Sequence, residues 1–325
     1  AVFPDEEKYA NEIEKSIYNV GIANQTQDGS IIYHAMLVGH KNRGENHNTC
    51  CEGQGTRWFG ALPEFIYSIA DDGVYVNLFN DSSIEWAQTD GGKIAVRMQT
   101  AFPENPSVKL TVSPQNGKAY SNIRIRVPQW ANAPMQVTVN GKPAGTGRPG
   151  SYLALKRNWK KGDVIAFTLP VGFRLTKYNG TAEGFKGTEA YALEYGPLLM
   201  AAMGPSEEKG FLDIPVSASE LPSKLKSEDG DPLRFKVECA DPGIEYVPYY
   251  RIADENFTCY PIQKKTEKRK PAPNRPCKST LFCASKLRRE ACFQVYCGPV
   301  LNKVVRTTGY FFRLKEPSIG NKHYL

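Results

Sequence analysis

Residues 73–78 read GVYVNL, residues 94–98 read IAVRM, residues 108–112 read VKLTV and residues 123–127 read IRIRV. Apolar residues recur at every second position of these stretches, which is the period of a strand with one buried face. The turn sequences DGG, QNG and NGK punctuate the strands, and Asn-Gly pairs are typical of tight hairpins. Short strands at this spacing predict an antiparallel β-sandwich or barrel, which we place at residues 72–178.

Strand-like sequence continues beyond this region. Further strands are predicted at residues 152–155 and 164–169, and another strand-like stretch surrounds Tyr191–Ala201. The sequence therefore predicts a second, smaller β-rich unit at residues 179–262, packed on the sandwich.

The residues before the strands have helical periodicity. Residues 5–20 predict a first helix with Tyr9, Ile13 and Ile17 on its apolar face. A second helix is predicted from about residue 56 to residue 70. Its apolar stripe consists of Trp58, Leu62, Phe65, Ile66 and Ile69. Because one apolar stripe on each of two helices cannot enclose a core, we expect both helices to pack on other elements.

Composition and charge exclude several classes of protein. The chain has 325 residues, of which 41% are hydrophobic and 23% charged, as in a globular protein. It lacks the long apolar run of a transmembrane helix, so we expect no membrane partner. The net charge is +7, but residues 263–325 carry 15 Lys and Arg against 3 Asp and Glu. These residues predict a basic, cysteine-containing and poorly structured tail, and nucleic acid is not the expected partner of the acidic body.

The sequence TCCEGQGTR at residues 49–57 carries the strongest chemical signal, where a loop meets the second helix. A helix N-terminus favours thiolate, and Arg57 adds positive charge. Thiolate is both the nucleophilic and the metal-binding form of cysteine, and adjacent thiolates can occupy two positions of a zinc tetrahedron. From composition alone, the pair can equally be one buried structural cysteine beside an incidental neighbour.

Several longer phrases occur in order along the chain. They are YANEIEKSIYNVGIANQ, IIYHAMLVGHK, TCCEGQGTRWFGALPEFIYSIADDGVYVNLF, IRIRVPQWA, VTVNGKP, YLALKRNWKKGDVIAFTLP and YALEYGPLLMA. Together they resemble the beta-L-arabinofuranosidase family of glycoside hydrolases, family 127 and its relatives. The resemblance covers roughly residues 8–260 and is most specific at residues 49–79. It implies an (α/α)6 barrel followed by β-sandwich domains, with residues 1–71 as the C-terminal remnant of the barrel.

The resemblance also implies an unusual retaining glycosidase. Cys50 matches the nucleophile, which is also a zinc ligand, and Cys51 matches a second zinc ligand. Tyr33 resembles a tyrosine, in the strand before the cysteine loop, that hydrogen-bonds near the nucleophile. The implied cofactor is Zn2+, and the implied substrate is beta-linked L-arabinofuranose in plant-type glycans. A glutamate protonates the leaving oxygen and then activates water.

One departure from the family pattern is serious. The two remaining zinc ligands and the acid/base glutamate precede the YANEIEKSIYNV phrase in the family, and residue 1 comes after them. We therefore expect a C-terminal portion of such an enzyme, inactive by itself and weak in zinc binding. A secreted or periplasmic location is favoured for a glycan-degrading family, and the sequence does not indicate an oligomeric state.

Two other functions remain open at this point. The first is a non-catalytic carbohydrate-binding β-module, which Trp86, Trp130 and Trp159 would support, although such residues more often fill sandwich cores. The second is a nucleic-acid binder that depends on the basic tail. Bound zinc and hydrolysis of an aryl arabinofuranoside distinguish the enzyme from both.

Overall fold

A computed structural model describes residues 6–41, 50–88, 92–178, 188–204, 214, 216–238 and 243–264. All of them fall in the first of two units, Ala1–Ala272. The second unit is Pro273–Leu325. The predicted basic tail lies outside the described residues, apart from residues 263 and 264.

The described residues form three α-helices: α1 (Glu7–Ser16), α2 (Cys50–Ala61) and α3 (Leu221–Lys224). Shorter helical turns are a π-helix at Ile17–Gly21 and 3-10 turns at Ile22–Asn24, Leu62–Phe65 and Tyr249–Arg251. The strands are β1 (Val38–Gly39), β2 (Tyr67–Ala70), β3 (Gly73–Val76), β4 (Ser82–Ala87), β5 (Lys93–Thr100), β6 (Ser107–Pro114), β7 (Lys118–Val127), β8 (Met135–Val139), β9 (Lys142–Gly147), β10 (Ser151–Lys160), β11 (Asp163–Thr168), β12 (Phe173–Tyr178), β13 (Thr188–Tyr195), β14 (Leu198–Met203), β15 (Leu225–Glu228), β16 (Asp231–Val237), β17 (Glu245–Pro248), β18 (Phe257–Thr258) and β19 (Ile262–Lys264).

Two sheets form a sandwich in the middle of the chain. One has the order β10-β7-β3-β2, and the other has the order β4-β5-β6-β11-β8-β9. Ile94, Val96 and Met98 of β5 share one core with Ile123 and Ile125 of β7, and all five side chains are fully buried. The alternation of these residues therefore buries one face of each strand, and the predicted β-rich, antiparallel fold is confirmed.

One pair of strands departs from the antiparallel prediction. β3 and β7 run parallel, with Val74 opposite Ile123. Between β3 and β7 the chain passes through β4, β5 and β6 of the other sheet. A long crossover of this kind can bring a strand back in the same direction, whereas a short hairpin cannot.

A nine-stranded sheet contains β12 to β19 together with β1. Both faces of its strand β14 are buried. Its central path is β1-β18-β14-β17-β16-β15, and β12, β13 and β19 join it through β13. Leu198, Met200 and Ala202 of β14 pack into one apolar cluster, whereas Ala201 packs into another. This two-sided burial explains why β14 reads LLMAAM without polar alternation. The sheet also takes in β12, from before residue 179, and β1, from the N-terminal segment.

Helix α1 buries a different face from the one its sequence predicts. Tyr9 is 42% exposed, while the buried residues of α1 are Glu7, Ala10, Asn11 and Glu14. The carboxylates of Glu7 and Glu14 pair with the buried guanidinium of Arg126 on β7, which the apolar periodicity does not predict. The predicted stripe of Tyr9, Ile13 and Ile17 is therefore wrong as the buried face, although Ile13 and Ile17 contact the sandwich core.

The second helix is shifted toward the N-terminus relative to its prediction. α2 comprises Cys50–Ala61, and Pro63 lies in the 3-10 turn that follows, because proline lacks the N–H that would continue a helix. Residues 67–70 form β2, which leaves Ile69 53% exposed, whereas Leu62 and Ile66 are buried. In the described part of the chain, α1 and α2 do not by themselves form a barrel, so the barrel remnant stays a prediction.

Candidate functional site

A groove of about 600 Å³ lies between α2 and the segment that follows α1. Tyr33 and Cys51, two residues singled out from the sequence, both line it. Its other lining residues are Ser16, Val20, Gly21, Asn24, Ile31, Ile32, Gln54, Gly55, Arg57, Trp58, Phe59 and Ala61. The groove therefore joins two sequence phrases that are separated along the chain.

The cysteine pair begins helix α2. Both thiols are free, with Cys50 exposed and Cys51 half-buried at the groove. Partial burial, together with the neighbouring Cys50 thiol, raises the pKa of the Cys51 thiol above its usual value. This differs from the lowered thiol pKa that a helix N-terminus and Arg57 predict. The contact found for Arg57 is a hydrogen bond from Nη2 to Oε1 of Gln54, one turn earlier.

The residues around the cysteine pair do not complete a metal site. Within the described ranges, no group of three or more His, Cys, Asp or Glu side chains is placed to hold a metal ion. A closed zinc site needs four ligands, and the adjacent thiols of Cys50 and Cys51 account for two. The described residues therefore supply half of a closed zinc site and do not complete one.

Tyr33 lies in a bend rather than in the predicted strand, because the preceding bridge joins only Ile31 to Gln25. Its side chain is 44% exposed, and its ring meets that of His34 edge to face with centroids 4.2 Å apart. The tyrosine shares the groove with Cys51. A hydrogen bond between Tyr33 and the nucleophile stays a prediction.

The sequence did not single out Gly21, Gln54 or Ile31 as lining residues. Gly21 belongs to the π-helix after α1, and π-helical turns are frequent at functional sites. The sequence does not predict a π-helical turn at Ile17–Gly21, because the geometry of such a turn depends on the residues that pack against it in the folded chain.

The tryptophans that would support a carbohydrate-binding module are inside the sandwich. Trp86, Trp130 and Trp159 are 4%, 5% and 0% exposed and belong to its core. A stacking surface for a sugar needs an exposed ring, so these residues no longer favour that function. Of the helices in the described ranges, none has the length and apolar character that crossing a bilayer requires.

Comparison with known proteins links the chain to one group of glycosidases. Residues 73–171 match the family described as beta-L-arabinofuranosidase, GH127 middle domain. A non-reducing end beta-L-arabinofuranosidase of Bifidobacterium longum subsp. longum is 26% identical over 214 residues, covering 60% of this chain and 32% of the relative. The chain thus spans about a third of that curated relative.

Solved structures share the fold. A GH127 beta-L-arabinofuranosidase from Geobacillus stearothermophilus T6 superposes with a TM-score of 0.61 at 21% identity, covering 78% of this chain and 46% of that one. The GH127 beta-arabinofuranosidase BT3674 gives a TM-score of 0.62 at 23% identity, with coverage of 79% and 46%. A protein described as a glycoside hydrolase gives 0.62 at 19% identity, with coverage of 79% and 48%.

Proposed function

Since this chain is a relative of the glycoside hydrolases of family 127, we propose that it carries the cysteine pair and the β-domains of a retaining glycosidase. The proposed substrate is a glycan that contains beta-linked L-arabinofuranose. The observation that carries the proposal is the groove, which is lined by both Cys51 and Tyr33. Cys50, the proposed nucleophile, is the exposed residue that precedes Cys51 and is not among the residues that line the groove. Plant origin of the glycan and a secreted or periplasmic location are parts of the same proposal.

The proposed reaction has two displacements. Sγ of Cys50, as thiolate, attacks the anomeric carbon, and the bond from that carbon to the leaving oxygen breaks as a carboxylic acid protonates the oxygen. Water activated by the resulting carboxylate then attacks the same carbon and releases the thiolate. Two inversions retain the configuration of the sugar. Retaining glycosidases ordinarily use a carboxylate for the role that this proposal gives to Cys50.

The free thiols of Cys50 and Cys51 bear on the cofactor. Only the thiolate form of cysteine binds a metal ion, and a bound cation favours that form. We propose that a complete enzyme binds Zn2+ through both thiols, which would hold them as thiolates. The two further ligands would come from residues outside those described here.

By itself, the 325-residue chain should not turn over. Two thiols without further ligands give up much of the affinity of a four-ligand site. Loss of a general acid typically costs a factor of about 10² to 10⁴ in rate. The test is to purify residues 1–325, measure bound zinc by mass spectrometry and assay hydrolysis of an aryl beta-L-arabinofuranoside. We expect zinc well below one equivalent and no turnover. Stoichiometric zinc with turnover that disappears in Cys50→Ser would show that the chain is sufficient for catalysis.

A further inference from the structure

Gly21 allows α2 to approach the segment after α1. A methyl group on Gly21 would lie 1.9 Å from Cζ3 and 2.2 Å from Cη2 of Trp58, closer than real Cβ contacts come. The backbone of Gly21 has φ −60° and ψ −67°, values available to every residue. The requirement for glycine at this position is therefore one of space, which the indole ring of Trp58 occupies.

A second glycine makes a similar contact from the other side. A methyl group on Gly55 of α2 would lie 3.0 Å from Cγ1 and 3.2 Å from Cγ2 of Ile31, which is 8% exposed. By contrast, a methyl group on Gly53 or Gly60 of the same helix would meet nothing within 4 Å. The close glycines are thus those that face the groove.

The face of α2 that makes these contacts also carries Cys51, the candidate zinc ligand. Cys51, Gln54, Gly55 and Trp58 follow the i, i+3, i+4, i+7 spacing of one helix face, and all four line the groove. Trp58 stands two turns after Cys51, or about 10 Å along the helix axis. Because two turns of helix are stiff, a displacement of the Trp58 backbone also displaces Cys51.

We propose that Gly21 and Trp58 are a positioning pair, which seats α2 so that Cys51 faces Tyr33 across the groove. The significance of this pair for catalysis rests on the proposed function, but the seating itself does not. A larger residue at position 21 moves Trp58, and the helix carries Cys51 with it.

The test is Gly21→Ala in the 325-residue chain, with Gly60→Ala as the matched control. Alkylation by iodoacetamide at fixed pH is followed by tandem mass spectrometry of tryptic peptide 44–57, which contains both cysteines. One extra methyl group in a packed contact disfavours the conformation in which Trp58 packs against residue 21 by about tenfold or more. We expect half-buried Cys51 to react faster by a factor of that order. The already exposed Cys50 and the Gly60→Ala protein should show little change.

A double variant, together with the labelling of a buried cysteine, distinguishes a positioning role of Gly21 from a general loss of stability. Trp58→Leu removes the six-membered ring of the indole, which is the group that a methyl group on Gly21 would meet. Adding Gly21→Ala to the Trp58→Leu protein should therefore not change the alkylation rate of Cys51 any further. Cys259 is fully buried, and its labelling reports global unfolding. An unchanged Cys51 rate in Gly21→Ala, an equal change in Gly60→Ala, or an undiminished effect of Gly21→Ala in the Trp58→Leu background would overturn the proposal. Because the assay requires no turnover, its result is independent of whether Cys50 is the nucleophile.

Discussion

Nη2 of Arg126 donates a hydrogen bond to Oε2 of Glu14 at 3.0 Å, although 112 positions separate these residues in the chain. Nε of the same guanidinium donates to Oε1 of Glu7 at 2.7 Å. The side chains of Arg126, Glu7 and Glu14 are 0%, 1% and 3% exposed. Nε1 of Trp130 donates a further bond to Glu14 at 2.6 Å. A buried ionic network therefore attaches α1 to the sandwich. The residues that directly follow α1 line the groove, so the network also holds this side of the groove in place.

Replacing Arg126 should destabilise the protein strongly. Arg126→Met leaves the carboxylates of Glu7 and Glu14 buried without their cation, which costs about 3–5 kcal/mol of unfolding free energy. Arg124 lies two residues earlier on β7 and pairs with Asp72, which is 41% exposed. Arg124→Met should cost less than Arg126→Met, because solvent reaches the carboxylate of this pair. Urea unfolding measures the free energy of unfolding of both variants. An equal decrease in Arg126→Met and Arg124→Met would contradict a dominant role for the buried network.

Replacing Trp130 isolates one bond of this network. Trp130→Phe removes the Nε1–H donor to Glu14 but keeps an aromatic ring against Phe102, which stacks on it at 5.9 Å. A hydrogen bond to a charged acceptor is worth about 1.5–3 kcal/mol. Nε1 of Trp159 donates instead to the neutral carbonyl of Ser121 at 3.0 Å. Trp159→Phe should therefore cost less, about 1 kcal/mol, and the reverse order in thermal or urea unfolding would count against this assignment.

Stability should depend on pH through Lys41. Lys41 is 2% exposed, and its Nζ donates to the carbonyl oxygens of Tyr249 and Ile252 at 3.2 and 3.0 Å. Burial lowers the pKa of Lys41 from 10.5 to about 8. Between these values the unfolded chain binds more protons than the folded one, so the free energy of unfolding rises with pH. Lys41 by itself should contribute a rise of about 2 kcal/mol from about pH 8 to about pH 9.5. Burial raises the pKa of the Cys259 thiol well above its usual value, so this group lowers the free energy of unfolding as the unfolded thiol ionises in the upper part of the same window.

Lys41→Met removes the rising contribution, so in this variant the free energy of unfolding should fall over the same pH range because of Cys259. The window ends below about pH 10, where tyrosines of the unfolded chain begin to ionise. Urea unfolding at several pH values measures both slopes. The same rise in wild type and Lys41→Met would assign the pH dependence to another group.

The two cysteines should respond differently to substitution in an active enzyme that contains these residues. Cys50→Ser should abolish turnover, because a serine alkoxide is not accessible at neutral pH. Cys51→Ser should mainly weaken zinc binding, because it removes one ligand and leaves the proposed nucleophile. Measured zinc content and arabinofuranoside hydrolysis distinguish the two effects. Equal residual activity in both variants would refute the proposed roles.

The strands of the sandwich could be predicted because their signal is local. Ile94, Val96 and Met98 alternate with less buried residues, and they are buried wherever a second sheet covers that face. The resemblance to family 127 could also be recognised from the sequence, because residues 49–79 and the strand phrases carry it. The pairing of β3 with β7 was not, since a parallel register depends on how a long crossover returns.

The sequence by itself determined the β-rich class and the resemblance to family 127, and it named Tyr33, Cys50 and Cys51 as candidate residues. Only the tertiary structure decided that α1 buries Glu7 and Glu14, and that Gly21 is needed to make room for Trp58. The physical reason is the range of the interactions. Periodicity is a property of neighbouring residues, whereas the face that a helix buries depends on a partner that folding brings from elsewhere in the chain.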